Sequence, residues 1–336
     1  MSARSILGLL YAVKSLNHQG VDLTPYFKQR GLSLSTIDAN SLIGRAEELS
    51  LYLDASDQLQ QTGLGLKIGQ MFGLAGYGPF SLMLMTSPNA LEASRLGVLY
   101  QEITYLFGTL DLKIEGNAVS LNIHPHVLPT DIKRFIIERD LAGMLQLLRD
   151  ISSLIGQDLK VLEVHIPLSE PDTMMPYEEV LQCPVRFNTE YTSLIVENRN
   201  LTTLFPQANP MAAQLYQSQC DTLLKRQNEY KAQISDQVFQ YLTLFNYHFP
   251  NIKQTSAHFG LAERSLRRHL AQADTSYQAI LDQVKSRKAN HWLMNTLLPI
   301  EEITTKLGYS EPAAFIHAYR RWHGMSPSQA RKQGTT

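Results

Sequence analysis

Arginines cluster in two short polar stretches near the end of the chain. The first stretch, residues 263–268, reads E-R-S-L-R-R, and the second, residues 311–323, carries R-R near its end. A guanidinium carries a permanent charge and a rigid fork of N–H donors, which suits phosphate oxygens and the O6/N7 edge of guanine. Because Arg264, Arg267 and Arg268 are spaced by three and four, they would lie on the polar side of one helix. These residue types predict a surface that binds a polyanion.

The distribution of charge along the chain favours the same interpretation. The formal net charge is only −1, yet residues 231–336 hold 13 Lys or Arg against 7 Asp or Glu, a balance of +6. Residues 1–230 hold 17 basic against 24 acidic residues, a balance of −7. A basic segment joined to an acidic one indicates a polyanionic partner for the C-terminal third. The alternative is chance scatter of charges.

Each arginine stretch is predicted to form the second helix of a helix-turn-helix unit. Helix 252–259, capped by Gly260, precedes helix 263–272, and helix 300–307, capped by Gly308, precedes helix 311–323. A glycine-containing turn of three or four residues between two short helices is typical of this motif. Ser310 is the expected N-cap of the second recognition helix, with Pro312 in its first turn, where the missing N–H costs nothing.

A long helix, 277–296, is predicted to bridge the two units, which lie 48 residues apart from Arg264 to Pro312. A rigid module of this kind could present two recognition helices to successive major-groove faces, about 34 Å apart on B-DNA. The second recognition helix carries a stripe of apolar side chains, of which Phe315, Tyr319 and Trp322 are expected to anchor the helix to its own domain. The stripe consists of Ala314, Phe315, Ala318, Tyr319 and Trp322.

The C-terminal third resembles the AraC-type transcriptional regulators over roughly 100 residues. The segments that carry the resemblance are A-H-F-G-L-A-E-R-S-L-R-R-H-L, I-E-E-I-T-T-K-L-G-Y-S-E-P-A-A-F and R-R-W-H-G-M-S-P. Upstream, F-N-T-E-Y-T-S-L-I-V-E-N-R-N-L-T-T-L-F-P-Q-A-N-P resembles the end of the arabinose-binding-like effector domain found in one branch of that family. The resemblance implies a transcription regulator that binds double-stranded DNA, with an N-terminal domain that senses a small effector. It also implies a homodimer.

The recognition helices are assigned contacts with DNA on this basis. The residues expected to read bases are Glu263, Arg264, Arg267, Glu311, Ala313 and His317. The residues expected to hold phosphates are Arg268, Arg320 and Arg321. For Arg264 and Arg268 both kinds of contact stay open, and the alternative for Glu263 with Arg267 is an ordinary i,i+4 surface pair.

Two departures from the family pattern affect these assignments. Alanine stands at position 262, where the family usually has serine, so the first recognition helix lacks its usual N-cap, which costs about 0.5–2 kcal/mol of helix stability. The second recognition helix offers Ala313, Ala314, Ile316 and His317 to the groove, with few hydrogen-bonding groups. We therefore expect the first unit to carry most of the sequence discrimination and the second to hold mainly phosphates.

The first 200 residues show both helical and strand periodicity. The clearest strand pattern is L-D-L-K-I-E, then Gly116-Asn117, then V-S-L-N-I-H, which predicts a hairpin of 110–115 with 119–124. Further strands are expected at 161–166, 185–187 and 192–196. Helices are expected in the first 30 residues and at 42–59, 64–72, 91–109 and 131–155, with a turn that feeds a buried helix in 73–90.

The predicted fold class is α+β: a mixed α/β sensing domain, then an all-α module of two helix-turn-helix units joined by a long linker helix. Prolines 206 and 210 break both periodicities and mark the boundary. The expected domains are 1–205 for effector binding and dimerisation, 206–234 as a linker with a polar helix, and 235–336, of about seven short helices, for DNA binding. The two units in the last domain span 252–272 and 300–323.

A pocket for the effector is predicted from aromatic and methionine side chains, whose alternative role is ordinary core packing. One group is Tyr77, Phe80, Met83 and Met85, and a second is the helix face with Tyr100, Tyr105 and Phe107. His124 and His126 flank a proline on one strand, but no third ligand lies nearby, so we expect no metal. Cys183 and Cys220 have no CxxC partner, and neither a redox sensor nor any other cofactor is expected.

Three functions compete on this sequence. The first is a transcription regulator controlled by a small effector, and the second is a DNA-binding protein whose N-terminal part only dimerises or contacts RNA polymerase. The third, an enzyme, is not expected, because the chain has no G-x-S-x-G, P-loop, H-E-x-x-H or G-x-G-x-x-G motif. No apolar run is long enough to span a membrane, no signal peptide is expected, and 2 cysteines favour a reducing cytoplasm.

Overall fold

The chain divides into two compact units, with the boundary between residues 231 and 232. The computed structural model describes residues 4–29, 37, 41–156, 158–229 and 234–334. The N-terminal unit combines helices with a mixed sheet and the C-terminal unit is helical, which confirms the predicted α+β class.

The described part of the N-terminal unit contains nine α-helices and seven strands. The helices are α1 (Leu7–His18), α2 (Thr24–Gln29), α3 (Arg45–Asp54), α4 (Leu64–Gly69), α5 (Pro79–Met85), α6 (Ala90–Leu99), α7 (Thr130–Ile155), α8 (Met175–Leu181) and α9 (Pro210–Glu229). The strands are β1 (Arg4–Ser5), β2 (Leu42–Ile43), β3 (Gly108–Glu115), β4 (Ala118–Pro125), β5 (Val161–His165), β6 (Val185–Arg186) and β7 (Thr192–Glu197).

Five strands form one sheet in the order β3-β4-β7-β5-β6. All neighbours are antiparallel except β5 and β6. The hairpin of β3 and β4 is confirmed, with Leu110 opposite Ile123 and Glu115 opposite Ala118. Its turn contains Gly116 at φ 58°, a left-handed conformation that glycine adopts without strain. The separate pair of β1 and β2 has no strong alternation in sequence and was not predicted.

Helix α7, 26 residues long, forms the centre of the N-terminal unit and packs against α4 at very short range. A Cβ at Gly65 would lie 2.3 Å from the Phe135 carbonyl oxygen, and one at Gly69 would lie 2.4 Å from the Arg139 carbonyl oxygen. Only glycine permits the two backbones to approach this closely. The small residues of α4 therefore fix its place on α7.

Two helix predictions need correction at their ends. The helix predicted over 91–109 ends at Leu99, and Gly108 and Thr109 belong to β3, paired with Pro125 and His124. Because Gly108 and Thr109 pair with β4, strand β3 begins two residues earlier than predicted, and these residues are not helical. The segment 42–59 begins as β2, and its helix spans only Arg45–Asp54. Of the helices predicted in the first 30 residues and in the 206–234 linker, residues 1–3, 30 and 230–233 lie outside the described residues.

The C-terminal unit contains seven helices among its described residues, as the sequence predicted. They are α10 (Ile234–Thr243), α11 (Ile252–His258), α12 (Glu263–Gln272), α13 (Tyr277–Asn295), α14 (Ile300–Lys306), α15 (Pro312–His323) and α16 (Pro327–Gly334). The bridging helix α13 packs against α10, α15 and α16. Across the described part of the chain, no helix has the length and apolar character needed to cross a bilayer.

Candidate functional sites

The first helix-turn-helix unit is formed by α11 and α12. A capping box starts α11, because Asn251 accepts from the Gln254 backbone N–H and the Gln254 side chain accepts from the Asn251 N–H. The helix ends before Gly260, which has φ 60°. On its inner side His258 is buried and stacks on Tyr241 with ring centroids 3.8 Å apart. These contacts fix the first helix, against which α12 packs.

Helix α12 carries the predicted base-reading residues on its outer side. Its apolar side chains Leu266 and Leu270 are fully buried, whereas Arg264, Arg267 and Arg268 are exposed. The N-cap is Ala262, and no side chain caps the helix, as the sequence predicted.

Arg267 forms an ion pair with Glu263 one turn earlier. Its Nε and Nη2 lie 3.0 and 2.8 Å from the Glu263 Oε1. The two Nη1 hydrogens and the second Nη2 hydrogen stay free for another acceptor, since a guanidinium has five N–H donors. The i,i+4 surface pair that the sequence left open is therefore present, and it leaves three guanidinium hydrogens of Arg267 for a further contact.

The second unit is formed by α14 and α15, and its turn contains Gly308 at φ 71°. A Cβ there would lie 2.5 Å from the Tyr247 carbonyl oxygen, so the turn requires glycine. The predicted N-cap is wrong: the N-cap of α15 is Glu311, and no side chain caps it. Proline at position 312 forces the preceding residue into the extended region, so the helix begins at the proline and Ser310 lies outside it.

Helix α15 presents two different sides. Phe315, Ala318 and Tyr319 are buried. Phe315 and Tyr319 belong to a core with residues of α13 and α14, and the partly buried Trp322 packs against that core. Ala314 belongs to the apolar stripe in sequence but is exposed, as expected for a residue offered to the groove. The predicted base-reading residues Glu311, Ala313 and His317 are all exposed, and so is Arg320.

Arg321 contacts the bridging helix α13. Its Nη2 donates to the Asp282 Oδ2 at 2.7 Å, although the Arg321 side chain is still 66% exposed. The Nζ of Lys285, also on α13, lies 4.3 Å from the centre of the Tyr309 ring in the turn before α15. Neither Asp282 nor Lys285 was identified from the sequence. No local pattern could have revealed them, because Asp282 lies 39 residues before its partner.

A mainly apolar cavity of about 80 Å³ lies in the N-terminal unit. It is bounded by α5, α6, β3, β4 and α7, together with the short 3-10 helix Leu74–Tyr77. The residues that α6 contributes are small, namely Ala93, Ser94 and Gly97. Their size leaves the space that larger side chains would fill. Among the lining residues only Tyr77, Ser94 and Thr104 carry polar side-chain atoms.

The structure brings only two of the predicted pocket residues to this cavity, Tyr77 and Phe80. Met83 is fully buried in the core, and Met85 lines a separate small recess beside Phe205. The Tyr100 hydroxyl donates to the Asp221 Oδ1 on α9 at 2.8 Å.

Phe107 and Tyr105 lie in the core instead of lining the apolar cavity. The Phe107 ring packs under the guanidinium of Arg4, with 4.1 Å between Cζ and the ring centroid. The Tyr105 hydroxyl donates to the Gly76 carbonyl oxygen. Periodicity placed these aromatic residues on an apolar face, but it could not distinguish core from cavity wall.

A buried ionic cluster lies close to the cavity. Arg139 Nη2 lies 2.6 Å from the Asp140 Oδ1, and its Nη1 lies 3.3 Å from the Glu48 Oε1. Arg4 Nη2 lies 2.6 Å from the Glu48 Oε2. Arg45 donates to the Leu106 carbonyl oxygen at 2.8 Å, and burial together with the charge of Arg4 lowers the pKa of Arg45 to about 9. The charges of Arg4, Arg139, Glu48 and Asp140 are thus satisfied by one another.

The histidines considered from the sequence have ordinary protein partners, and both cysteines are free thiols. His124 Nε2 lies 2.5 Å from the Asp111 Oδ2, and His126 Nε2 lies 3.2 Å from the Thr109 hydroxyl. Within the described ranges no cluster of three metal-ligating side chains occurs. Burial raises the pKa of Cys183, and burial and Asp221 raise that of Cys220 to about 11, so both thiols are protonated near neutral pH.

Comparison with known proteins decides the family. Residues 20–204 match the family model described as the arabinose-binding domain of AraC transcription regulators, and residues 255–333 match a helix-turn-helix domain model. The first match alone covers more than half of the chain. The chain belongs to the AraC family of transcription regulators. Its two compact units therefore correspond to the two parts of an AraC-family regulator, an arabinose-binding-like domain and a helix-turn-helix domain that binds DNA.

Relatives of this AraC-family chain are also named as regulators. The chain is 26% identical over 307 residues to the HTH-type transcriptional regulator Rv1395 of Mycobacterium tuberculosis, with 88% of this chain and 87% of the relative covered. It is 27% identical over 300 residues to the ornithine utilization regulator of Pseudomonas aeruginosa, with 89% and 84% covered. The crystal structure of the transcriptional regulator CdpR from Pseudomonas aeruginosa aligns with a TM-score of 0.45 at 21% identity, covering 92% of this chain and 96% of that one.

Proposed function

We propose that this regulator reads its operator mainly through α12, while α15 mainly holds the phosphate backbone. The observation that carries this proposal is the different outer surface of the two helices. Helix α12 exposes Arg264, Arg267 and Arg268, whereas the exposed side chains at the start of α15 are Ala313, Ala314 and His317. Arginine forms bidentate contacts with guanine, and alanine offers base edges only a methyl group.

The proposal assigns Glu263, Arg264 and Arg267 to base edges in the first unit, and Glu311, Ala313 and His317 to weaker base contacts in the second. Arg268, Arg320 and Arg321 take the phosphates. Duplexes enriched by the full-length protein from a random library would show which half of the site is more constrained. Equal constraint in both halves would contradict the division of labour between α12 and α15.

We also propose that a small effector binds in the N-terminal cavity and changes operator binding through α9. Phe80 and Leu84 of α5 line the cavity, and α5 packs directly against α9. The residue that ends α6, Tyr100, donates to Asp221 of α9 at 2.8 Å. Two of the helices that border the cavity, α5 and α6, therefore hold the last helix of the N-terminal unit, which continues in sequence into the DNA-binding unit. An effector must favour one state of this packing to shift the equilibrium.

Thermal shifts of the full chain against fatty acids, sugars, amino acids and cyclic dinucleotides test effector binding. A shift that also changes operator affinity supports the proposal. If no compound has an effect, the N-terminal unit is better described as a domain that only dimerises or contacts RNA polymerase. Ornithine, which the name of one relative mentions, is a weaker candidate here. The lining of the cavity supplies no charged partner for its two ammonium groups and carboxylate.

The connection through α9 has its own test. Tyr100→Phe removes the hydrogen bond to Asp221 but keeps the buried ring, so an effector should still bind while its influence on operator affinity falls. Tyr191→Phe, at a ring that packs on His124 away from α9, is the matched control and should leave the response unchanged. An undiminished response in Tyr100→Phe would exclude this hydrogen bond as the connection.

The homodimer that the family resemblance implies is part of the proposal as well. Helix α9 exposes Met211 and Leu215, 83% and 56% accessible, at i,i+4 spacing on one side. Light scattering of the full chain and of the double variant Met211→Ser, Leu215→Ser measures the molecular mass. A dimer that becomes a monomer in the variant supports pairing through α9, and an unchanged dimer places the interface elsewhere.

A further inference from the structure

The chemical class of the effector can be inferred from the side chains that surround the cavity. We propose that the cavity binds an uncharged, mainly hydrocarbon molecule or hydrocarbon portion, and that charged small molecules are excluded; this inference depends on the proposed effector site. The lining contains no charged side chain, and its walls include Phe80, Leu110, Leu121, Met144 and Leu148. Apolar walls favour apolar ligands because contact removes both surfaces from water.

The polar groups in the lining offer a ligand very little. The Ser94 hydroxyl already donates to the Ala90 carbonyl oxygen at 2.8 Å, and the Thr104 hydroxyl donates to the Gln101 carbonyl oxygen at 2.6 Å. Tyr77 is the third polar residue, and burial, followed by the neighbouring Tyr105 and Asp140, raises its pKa well above the usual range. Its hydroxyl is therefore neutral and can donate one hydrogen bond and accept another, which suits a hydroxyl or carbonyl group and compensates no charge.

The buried ionic cluster cannot supply the missing charge. A small recess beside Arg139 and Asp140 shares Tyr77 and Leu106 with the cavity, so this recess is the route by which a charged headgroup would have to reach the cluster. However, Arg139 is paired with Asp140, and the Asp140 Oδ2 also accepts from the Phe107 backbone N–H at 2.6 Å. An anion or a cation placed there would break an existing buried pair, and breaking such a pair is strongly unfavourable.

Substitution of Gly97 by a larger residue should fill the cavity without disturbing the fold. It lies one turn after Ala93 on α6, on the side that lines the cavity, and a Cβ built on it meets nothing within 4 Å. A larger side chain at this position would enter the space that the ligand needs. Alanine or leucine also favours a helix more than glycine does. Gly97→Leu should therefore fold and block the cavity.

Small probe molecules with the same alkyl chain but different polar end groups test the proposal directly. Binding of 1-hexanol, hexanoate and hexylammonium to the full chain is measured by calorimetry without DNA, together with the shorter alcohols 1-butanol and 1-pentanol. We expect binding of the alcohols to tighten about fourfold with each buried methylene. Hexanoate and hexylammonium, whose heads lose hydration without a partner, should bind at least about tenfold more weakly than 1-hexanol.

Variants locate the binding within the molecule. Gly97→Leu should abolish 1-hexanol binding, and Gly97→Ala, which adds only a methyl group, should weaken it while leaving the melting temperature at or above that of the wild type. Arg95→Leu adds the same leucine to the exposed side of the same helix and should bind 1-hexanol like the wild type. If Gly97→Leu does not fold, Gly97→Ala and Arg95→Leu still make the comparison.

The outcomes separate the ligand class from the regulatory proposal. Charged heads binding as tightly as 1-hexanol, no binding of any alcohol, or full binding of 1-hexanol to folded Gly97→Leu would each overturn the inference. Operator affinity, measured by fluorescence anisotropy with and without 1-hexanol, tests the proposed function separately. Alcohol binding that is lost in Gly97→Leu but never changes operator affinity would support the apolar class of ligand and refute regulation through this cavity.

Discussion

Replacing Arg267 by alanine should reduce the ability of the protein to distinguish its operator from other DNA. A good bidentate contact with a guanine is worth about 1–3 kcal/mol of discrimination, so the ratio of the two affinities should fall about 5- to 150-fold. The ion pair with Glu263 that is lost at the same time is exposed and contributes only about 0.3–0.5 kcal/mol to helix stability. The melting temperature should therefore change little.

The geometry of the ion pair adds a second expectation about the same helix. Glu263 Oε1 accepts from the Nε and Nη2 of Arg267 at 3.0 and 2.8 Å, which leaves three guanidinium hydrogens for DNA. Glu263→Gln keeps the length of the side chain but removes the charge that holds Arg267. It should lose part of the discrimination that Arg267→Ala loses, and the double variant should lose little more than Arg267→Ala alone, since interacting residues are not additive.

Fluorescence anisotropy at fixed salt measures these effects. The two DNAs are a duplex enriched by the wild type from a random library and a scrambled duplex of the same composition. Arg268→Ala is the matched control on the same helix and should weaken both DNAs alike, because a phosphate contact carries no sequence information. If Arg267→Ala also weakens both DNAs equally, Arg267 holds a phosphate and the assignment of α12 to bases is wrong.

Three further changes test other parts of the structure. Arg321→Ala should weaken both DNAs alike and reduce the salt slope by about 1, whereas Asp282→Asn, which releases Arg321, should tighten both about two- to fivefold in the same assay. Phe315→Ala, at a fully buried ring, should lower the unfolding free energy by about 3–5 kcal/mol in urea titrations; a loss below about 1 kcal/mol would show that the ring is not packed. Burial, together with Arg45, lowers the pKa of His126 to about 3. The unfolded chain therefore takes up a proton that the folded one excludes, and stability should fall by about 2 kcal/mol from pH 6.5 to 5, an acid slope that His126→Gln should lose.

Local patterns predicted the elements that local interactions determine. The hairpin of β3 and β4 was predicted because alternation and a Gly-containing turn both occur within one short stretch, and the structure adds the register, with Leu110 opposite Ile123. The helix-turn-helix units were predicted because glycine caps, apolar spacing and exposed arginines recur in both. Predictions failed where contacts with residues distant in sequence determined the structure. Gly108 and Thr109, for example, were assigned to a helix by the periodicity but pair with β4.

The sequence by itself determined the family resemblance, the two recognition helices and the arginines on their surface, since these follow from residue type and spacing along one helix. The tertiary structure alone decided that small residues of α6 face a cavity, that Asp282 binds Arg321 across 39 residues, and that Tyr100 holds α9. Each of these depends on which helices pack together. Which helices pack together depends on the summed burial of many side chains from distant parts of the chain, so no single stretch of sequence predicts it.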